Sequence, residues 1–153
     1  QELGLRPGTE NVPAISAASL AIELAVAEQA EFQARTLALS RLLWQGVRAH
    51  LPAVELLGPP LDAEARLPNT LNLSVAGIDG RMLVARLDLE GLEASAGSAC
   101  ASGSLEPSHV LVALGLSPER ARSGLRLSLG RTTSAQDIHS AVEILSRTLA
   151  ATR

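Results

Sequence analysis

The chain contains no lysine; all 13 of its basic residues are arginine. A guanidinium group stays protonated in proteins and cannot act as an amine nucleophile. Chemistry that depends on a covalently bound lysine, such as Schiff-base formation with a carbonyl compound, therefore cannot be completed by this chain alone.

Aromatic side chains are nearly absent as well, with one tryptophan, one phenylalanine and no tyrosine among 153 residues. Proteins that bind nucleic acid stack bases on aromatic side chains or present clustered positive charge. The formal net charge is −3 and the sequence has no basic stripe, so we expect no nucleic acid among the partners. The longest apolar runs are far short of a membrane span, so we expect no membrane either.

The single cysteine, Cys100, excludes an internal disulfide and is typical of a reducing compartment. The first residues lack the basic and apolar segments of a secretory leader. We therefore expect a cytoplasmic protein. The length suits one domain with a sizeable core, and a content of 46% hydrophobic and 19% charged residues is typical of a globular chain.

Hydrophobic periodicity predicts helices and strands in mixed order. From Ile15 to His50, good helix formers and apolar residues at roughly helical spacing favour one long helix or two in tandem. Residues 69–75 and 124–130 alternate apolar and polar side chains, which is typical of half-buried strands. Shorter strands are predicted at 54–57 and 92–94.

Capping signals mark the remaining helices. Asp79 is the predicted N-cap of a helix that Gly91 ends, and Ser117 with Pro118 begins a short helix. The segment EPSHVLVALG, residues 106–115, is another predicted helix, with Pro107 near its start and Gly115 just past its end. Thr133 with Gln136 is the predicted capping box of a closing helix at about 134–151. Together the elements predict an α+β fold, with a small antiparallel or mixed sheet covered by helices on one face.

Cys100 lies in the stretch SAGSACASGS, residues 95–104, where no neighbouring side chain is bulky. A cysteine that serves packing usually lies in an apolar run. Small neighbours leave a thiolate accessible, and glycines leave its backbone free to move. This pattern favours a nucleophile that collects a group in one place and delivers it in another. The alternative is a thiol that happens to lie in a linker.

Two other residues are candidates for binding an anion. Arg126 lies on the polar side of a predicted strand, and a planar guanidinium binds a carboxylate through two parallel hydrogen bonds. Thr9 follows Gly8 in a predicted turn that offers a hydroxyl and a backbone N–H to a phosphate. A solvated arginine and a helix-capping threonine are the open alternatives. The histidines show no metal-ligand spacing, so no metal site is predicted.

Several segments carry a resemblance to a known family. LRPGTENVPAI, LPNTLNLSV and SAGSACASGSLEPSHVLVALG, with GLRLSLGR further on, resemble the C-terminal third of cysteine desulfurases of the nitrogen-fixation and iron–sulfur-cluster group. These enzymes are class-V aminotransferases with pyridoxal phosphate (PLP) fold type I. The resemblance runs from Gln1 to about Leu149. It implies that residues 1–153 are the small C-terminal domain with its long N-terminal connecting helix, and that the large domain with the cofactor lysine is not in this chain.

The resemblance also implies a function. Enzymes of this group use pyridoxal 5′-phosphate to convert L-cysteine to L-alanine. They hold the sulfur as a persulfide on a loop cysteine, which Cys100 matches, and pass it to an iron–sulfur scaffold or another acceptor. Arg126 matches the arginine that pairs with the substrate carboxylate. Thr9 matches the threonine that reaches the cofactor phosphate from the other subunit of a homodimer. His109 matches a motif residue to which we assign no role.

Three interpretations stay open at this point. The first is one part of a cysteine desulfurase, inactive alone because it lacks the cofactor lysine. The second is a standalone sulfur carrier or scaffold-docking module that receives sulfur from another protein. The third is a structural remnant without chemistry, and the intact motif around Cys100 argues against it.

Overall fold

The computed structural model describes residues 2–5, 8–96 and 107–151. The chain divides into two compact units, Gln1–Phe32 and Gln33–Arg153. The assignment of residues 1–153 to a single small domain stays a prediction.

Helix α1 spans Val12–Ala27 and follows a short 3-10 turn at Glu2–Gly4. Asn11 is its N-cap, since its side-chain oxygen accepts a hydrogen bond from the Ala14 N–H at 3.1 Å. Pro13 lies in the first turn, where a missing N–H leaves no helical hydrogen bond unmade. Every residue of α1 is exposed, although the helix is mostly apolar.

Helix α2 spans Gln29–His50, so the predicted helical segment forms two helices in tandem with a break at Glu28. Leu39, Leu43 and Val47 follow one another at one-turn spacing and are buried in the main core. The remaining elements are β1 (Val54–Leu56), β2 (Thr70–Val75), α3 (Gly80–Leu89), α4 (His109–Ala113), α5 (Pro118–Arg122), β3 (Gly124–Ser128) and α6 (Ala135–Ala150).

The three strands form one antiparallel sheet in the order β1-β2-β3. Leu71 is paired with Leu127, and Leu73 with Leu125. Because side chains alternate between the two faces of a sheet, these four leucines lie on one face. Residues of α2, α3 and α6 complete the main core with them, and each buried leucine contributes about 1.5–3 kcal/mol. The predicted α+β fold is confirmed.

The opposite face of the sheet is covered at one end by a smaller cluster. Leu57, Leu111 of α4 and Ala121 of α5 form this cluster. Gly124 makes the close approach possible, because a Cβ at this position would lie 2.5 Å from Cδ1 of Leu111. The rest of this face carries the polar side chains of the strands, among them Arg126.

Two local predictions are wrong. Residues 92–94 do not form a strand; only Ser95 pairs, as an isolated bridge to Arg126. The capping box of α6 consists of Ser134 and Asp137, one residue later than predicted. Thr133 is engaged elsewhere, because its hydroxyl oxygen accepts a hydrogen bond from the Gly130 N–H at 2.9 Å and holds the turn after β3.

Among the described residues, the helix predicted within 106–115 is shorter than the sequence suggests. It spans His109–Ala113, with Ser108 as N-cap, so Pro107 precedes the helix. The predicted caps Asp79 and Ser117 are confirmed. Among the described residues no single helix is long and apolar enough to cross a membrane. Helices α1 and α2, a bent pair, reach the necessary length and apolar content only when they are counted together.

Candidate functional site

Arg126 lies in the middle of β3 on the sheet face opposite the main core. Its neighbours Leu125 and Leu127 are buried, whereas Arg126 is exposed. Its guanidinium makes no hydrogen bond or ion pair with any residue in the described ranges. The predicted position of Arg126 on the polar side of a strand is confirmed, and its role in binding an anion stays a prediction.

The backbone of Arg126 is held by Ser95. The Arg126 N–H donates to the Ser95 carbonyl at 2.7 Å, and the Ser95 N–H donates to the Arg126 carbonyl at 3.0 Å. In an antiparallel sheet the N–H and C=O of one residue point to the same side. The backbone of Arg126 thus faces Ser95, and its pairing with Asn72 on the other side is of the non-hydrogen-bonded kind.

Asn72 is the second polar residue of this site, and sequence reasoning did not single it out. Asn72 of β2 is directly opposite Arg126 in the register. Residues in a non-hydrogen-bonded pair have Cα atoms about 4.5 Å apart and side chains that lie close together. The Oδ1 atom of Asn72 is buried and has no hydrogen-bond partner among the described residues. The available signal was its polar position in the alternating stretch LPNTLNLSV.

Cys100 and the stretch 97–106 around it lie outside the described residues, so its predicted role and the predicted mobility of 97–104 stay predictions. Both flanks of the stretch are described, and each leads to a residue that contacts β3. Ser95 precedes it and is hydrogen bonded to Arg126. Ser108 follows it and caps α4, whose Leu111 packs against Gly124. Ser95 before the stretch and Leu111 after it therefore contact β3 at positions two residues apart, Arg126 and Gly124.

Thr9 belongs to the first compact unit, whereas Arg126 belongs to the second. Thr9 is exposed and follows Gly8, whose φ of +96° favours glycine, shortly before α1 begins. His109 is the exposed first residue of α4. The structure brings Arg126 together with Ser95 and Asn72, and the assignment of Thr9 stays a prediction.

A half-buried arginine, Arg66, stabilises the loop that leads into β2. The guanidinium of Arg66 donates to the carbonyls of Leu57 at 3.1 Å, Pro59 at 2.5 Å and Thr70 at 3.2 Å. Burial lowers the pKa of Arg66. This clamp fixes the start of β2, the strand that carries Asn72.

No group of three or more histidine, cysteine or acidic residues suited to a metal ion is found in the described ranges. The carboxyl groups whose pKa is shifted lie outside the site. The side chain of Arg81 lowers the pKa of Asp79, and hydrogen bonds from Ser134 lower that of Asp137. Among the residues that the structure describes at this site, Arg126 carries the positive charge.

Comparisons with known proteins agree on one family. The family model "Aminotransferase class-V" matches residues 1–140. The chain is 44% identical over 147 residues to a cysteine desulfurase IscS of Clostridium botulinum, an alignment that covers 96% of this chain and 37% of that protein. The chain thus spans about 37% of the length of this curated relative.

Solved structures give the same result. A NifS-like protein superposes with a TM-score of 0.81 at 30% identity, over 99% of this chain and 37% of that chain. A NifS-like protein from Rickettsia africae superposes with a TM-score of 0.80 at 29% identity, over 98% of this chain and 38% of that chain. Both superpositions extend over nearly all of this chain but over little more than a third of each NifS-like protein.

Proposed function

The chain belongs to the class-V aminotransferase family, and on this premise we propose that it is the sulfur-carrying C-terminal part of a PLP-dependent cysteine desulfurase. The observation that carries the proposal is the position of Arg126. Its guanidinium has no partner among the described residues, and its strand contacts Ser95 before the Cys100 stretch and Leu111 after it. The name of the Clostridium botulinum relative, a cysteine desulfurase, supports the same activity.

Arg126 is the proposed binding residue for the substrate carboxylate. A guanidinium and a carboxylate form two parallel charge-assisted hydrogen bonds, which fix the orientation of the amino acid as well as its position. Such a hydrogen bond contributes about 1.5–3 kcal/mol. A rigid strand suits this task, because the backbone on either side of Arg126 is hydrogen bonded or buried.

Cys100 is the proposed sulfur acceptor. Overall, L-cysteine and the thiol of Cys100 give L-alanine and a persulfide on Cys100. The carbon–sulfur bond of the substrate breaks, a sulfur–sulfur bond forms, and the carbon that loses sulfur gains a proton. The outer sulfur of the persulfide then passes to an iron–sulfur scaffold or another acceptor, and Cys100 is released as a thiolate. The Cys100 sulfur must therefore be accessible twice, first as the attacking thiolate and then as the persulfide.

The residues of this chain do not complete a PLP site. The chain has no lysine that could hold the cofactor covalently. When bound, PLP supplies an electron sink; in our proposal the lysine comes from another part of the full-length protein. Thr9, beside the Gly8 turn, is the residue of this chain that we assign to the cofactor phosphate, across the interface of a cytoplasmic homodimer.

A second candidate function is a standalone sulfur carrier without desulfurase chemistry. This function requires Cys100 and no lysine, and the chain contains no lysine. The two candidates differ in the source of the sulfur. A carrier accepts sulfur on Cys100 from another protein and releases no L-alanine, whereas a desulfurase takes sulfur from L-cysteine.

The proposal is tested by steady-state kinetics of L-alanine release from L-cysteine with the full-length, PLP-loaded protein. We expect Arg126→Ala to raise KM and to lower kcat/KM by at least about tenfold, the lower end for a lost charge-assisted hydrogen bond. Arg122→Ala is the matched control, since Arg122 is an exposed arginine on α5, four residues earlier. Equal effects of the two substitutions would refute the assignment of Arg126.

A further inference from the structure

We propose that Asn72 is a positioning residue for Arg126. In this proposal the buried Oδ1 atom of Asn72 accepts a hydrogen bond from the Arg126 guanidinium while that guanidinium binds the carboxylate of an amino-acid substrate. The inference rests on the proposed function, because it takes the carboxylate-binding role of Arg126 as given.

The strand register places the two side chains together. Asn72 and Arg126 are directly opposite each other on neighbouring strands. The Asn72 carbonyl accepts a hydrogen bond from the Leu57 N–H at 2.7 Å, so the backbone of Asn72 faces β1. The backbone of Arg126 faces Ser95. At this position the two strands therefore meet through the side chains of the pair, on the face opposite the main core.

The Oδ1 atom of Asn72 needs a donor. It is buried without a hydrogen-bond partner among the described residues, and a buried acceptor that loses its water without gaining a partner is costly. Its neighbour Gly124 has no side chain to offer, and an ideal Cβ at Gly124 would lie 3.8 Å from this oxygen.

One hydroxyl on the same face of β2, that of Ser74, is already used. The Ser123 hydroxyl donates to the Arg120 carbonyl at 2.8 Å. Because a hydroxyl has a single proton, the 2.8 Å contact between the hydroxyls of Ser74 and Ser123 uses the proton of Ser74. Arg126, in contrast, has several N–H groups without a described partner. A carboxylate bound side-on accepts hydrogen bonds from only some of these N–H groups, so others stay available to donate to Asn72.

A neutral amide suits this position better than a carboxylate. An aspartate beside Arg126 would form an ion pair with the guanidinium and repel an incoming substrate carboxylate. The amide oxygen of Asn72 orients the guanidinium and leaves its positive charge for the ligand. Such a second contact restricts a long, exposed side chain to the geometry that binding requires.

The test uses the full-length, PLP-loaded protein with three changes: Asn72→Leu, Asn72→Asp and Arg126→Ala. We expect Asn72→Leu to raise KM for L-cysteine about tenfold, with kcat changed less than about threefold, because the contact acts in substrate binding. The dissociation constant of L-alanine, measured without turnover, should rise by the same factor. Asn72→Asp keeps the shape of the side chain and should raise KM at least as much. Urea unfolding midpoints show which variants are folded.

The double variant separates positioning from a structural role. Once Arg126 is alanine, Asn72→Leu should change KM by less than about twofold, because the two residues act as a unit. Equal effects of Asn72→Leu with and without Arg126 would overturn the inference, as would an unchanged KM in both Asn72 variants. If Arg126→Ala itself leaves KM unchanged, the proposed function fails in its assignment of Arg126, which is a different result. If Asn72→Leu does not fold, Asn72→Asp decides.

Discussion

Gly80, the first residue of α3, is packed against the backbone of β3. An ideal Cβ at Gly80 would lie 2.3 Å from the carbonyl oxygen of Gly124 and 3.2 Å from that of Arg122. Ordinary carbon–oxygen contacts are about 1 Å longer than the shorter distance. Unlike a flexible side chain, the carbonyl of a paired strand cannot rotate away, so α3 or β3 must shift.

The cost of Gly80→Ala follows from this geometry. Overpacking a close contact costs about 1–3 kcal/mol, and a backbone partner places Gly80 at the upper end. Alanine regains up to about 1 kcal/mol of helix propensity, less in the first turn. We therefore expect the free energy of unfolding to fall by about 2 kcal/mol.

Urea unfolding of the chain measures this change, and the single tryptophan, Trp44, reports the unfolding because it packs against the main core. Gly130→Ala is the matched control. The nearest atom that its Cβ would meet is Oγ1 of Thr133 at 4.0 Å, so its effect should stay within about 0.5 kcal/mol. A Gly80→Ala variant as stable as the unchanged chain would refute the close packing of α3 on β3.

Two further predictions concern pH and the cofactor. Hydrogen bonds from Ser134 lower the pKa of Asp137 below its ordinary value of 3.8, so the capping box contributes stability above that pH and loses it as the pH falls through the lowered pKa. The difference in urea midpoint between the unchanged chain and Asp137→Ala should therefore shrink below about pH 4; a difference independent of pH from 6 to about 2 would contradict the capping role. Borohydride reduction of the 153-residue chain mixed with PLP should give no side-chain adduct in mass spectrometry, because the chain has no lysine; a stable adduct away from the terminal amine would contradict this.

Much of the sheet could be predicted from the sequence, because alternation is a local signal. Leu71 and Leu73 alternate with polar residues, and both are buried, as expected of a half-exposed strand. Helical spacing predicted less completely which residues are buried. Leu39 and Leu43 are buried in the main core, but Leu20 of α1 has the same apolar character and is 57% exposed. Periodicity identifies an apolar face and not what lies against it.

The candidate site, too, could be predicted only in part from local sequence patterns. The polar position of Arg126 is a local property of its strand and was predicted. The importance of Asn72 depends on its pairing with Arg126, which lies 54 positions later in the sequence on another strand. The capping box of α6 was misplaced by one residue because Thr133 and Ser134 are both good caps, and the turn at Gly130 takes the first of them.

The central claim is that Cys100 receives sulfur from L-cysteine. The most direct measurement is mass spectrometry of the Cys100 peptide from the full-length, PLP-loaded protein after a single turnover with L-cysteine and alkylation of free thiols. We expect this peptide to gain one sulfur atom, in step with one equivalent of L-alanine, and Cys100→Ser to abolish both products. L-alanine release at the normal rate from Cys100→Ser, or a Cys100 peptide without added sulfur, would contradict the account.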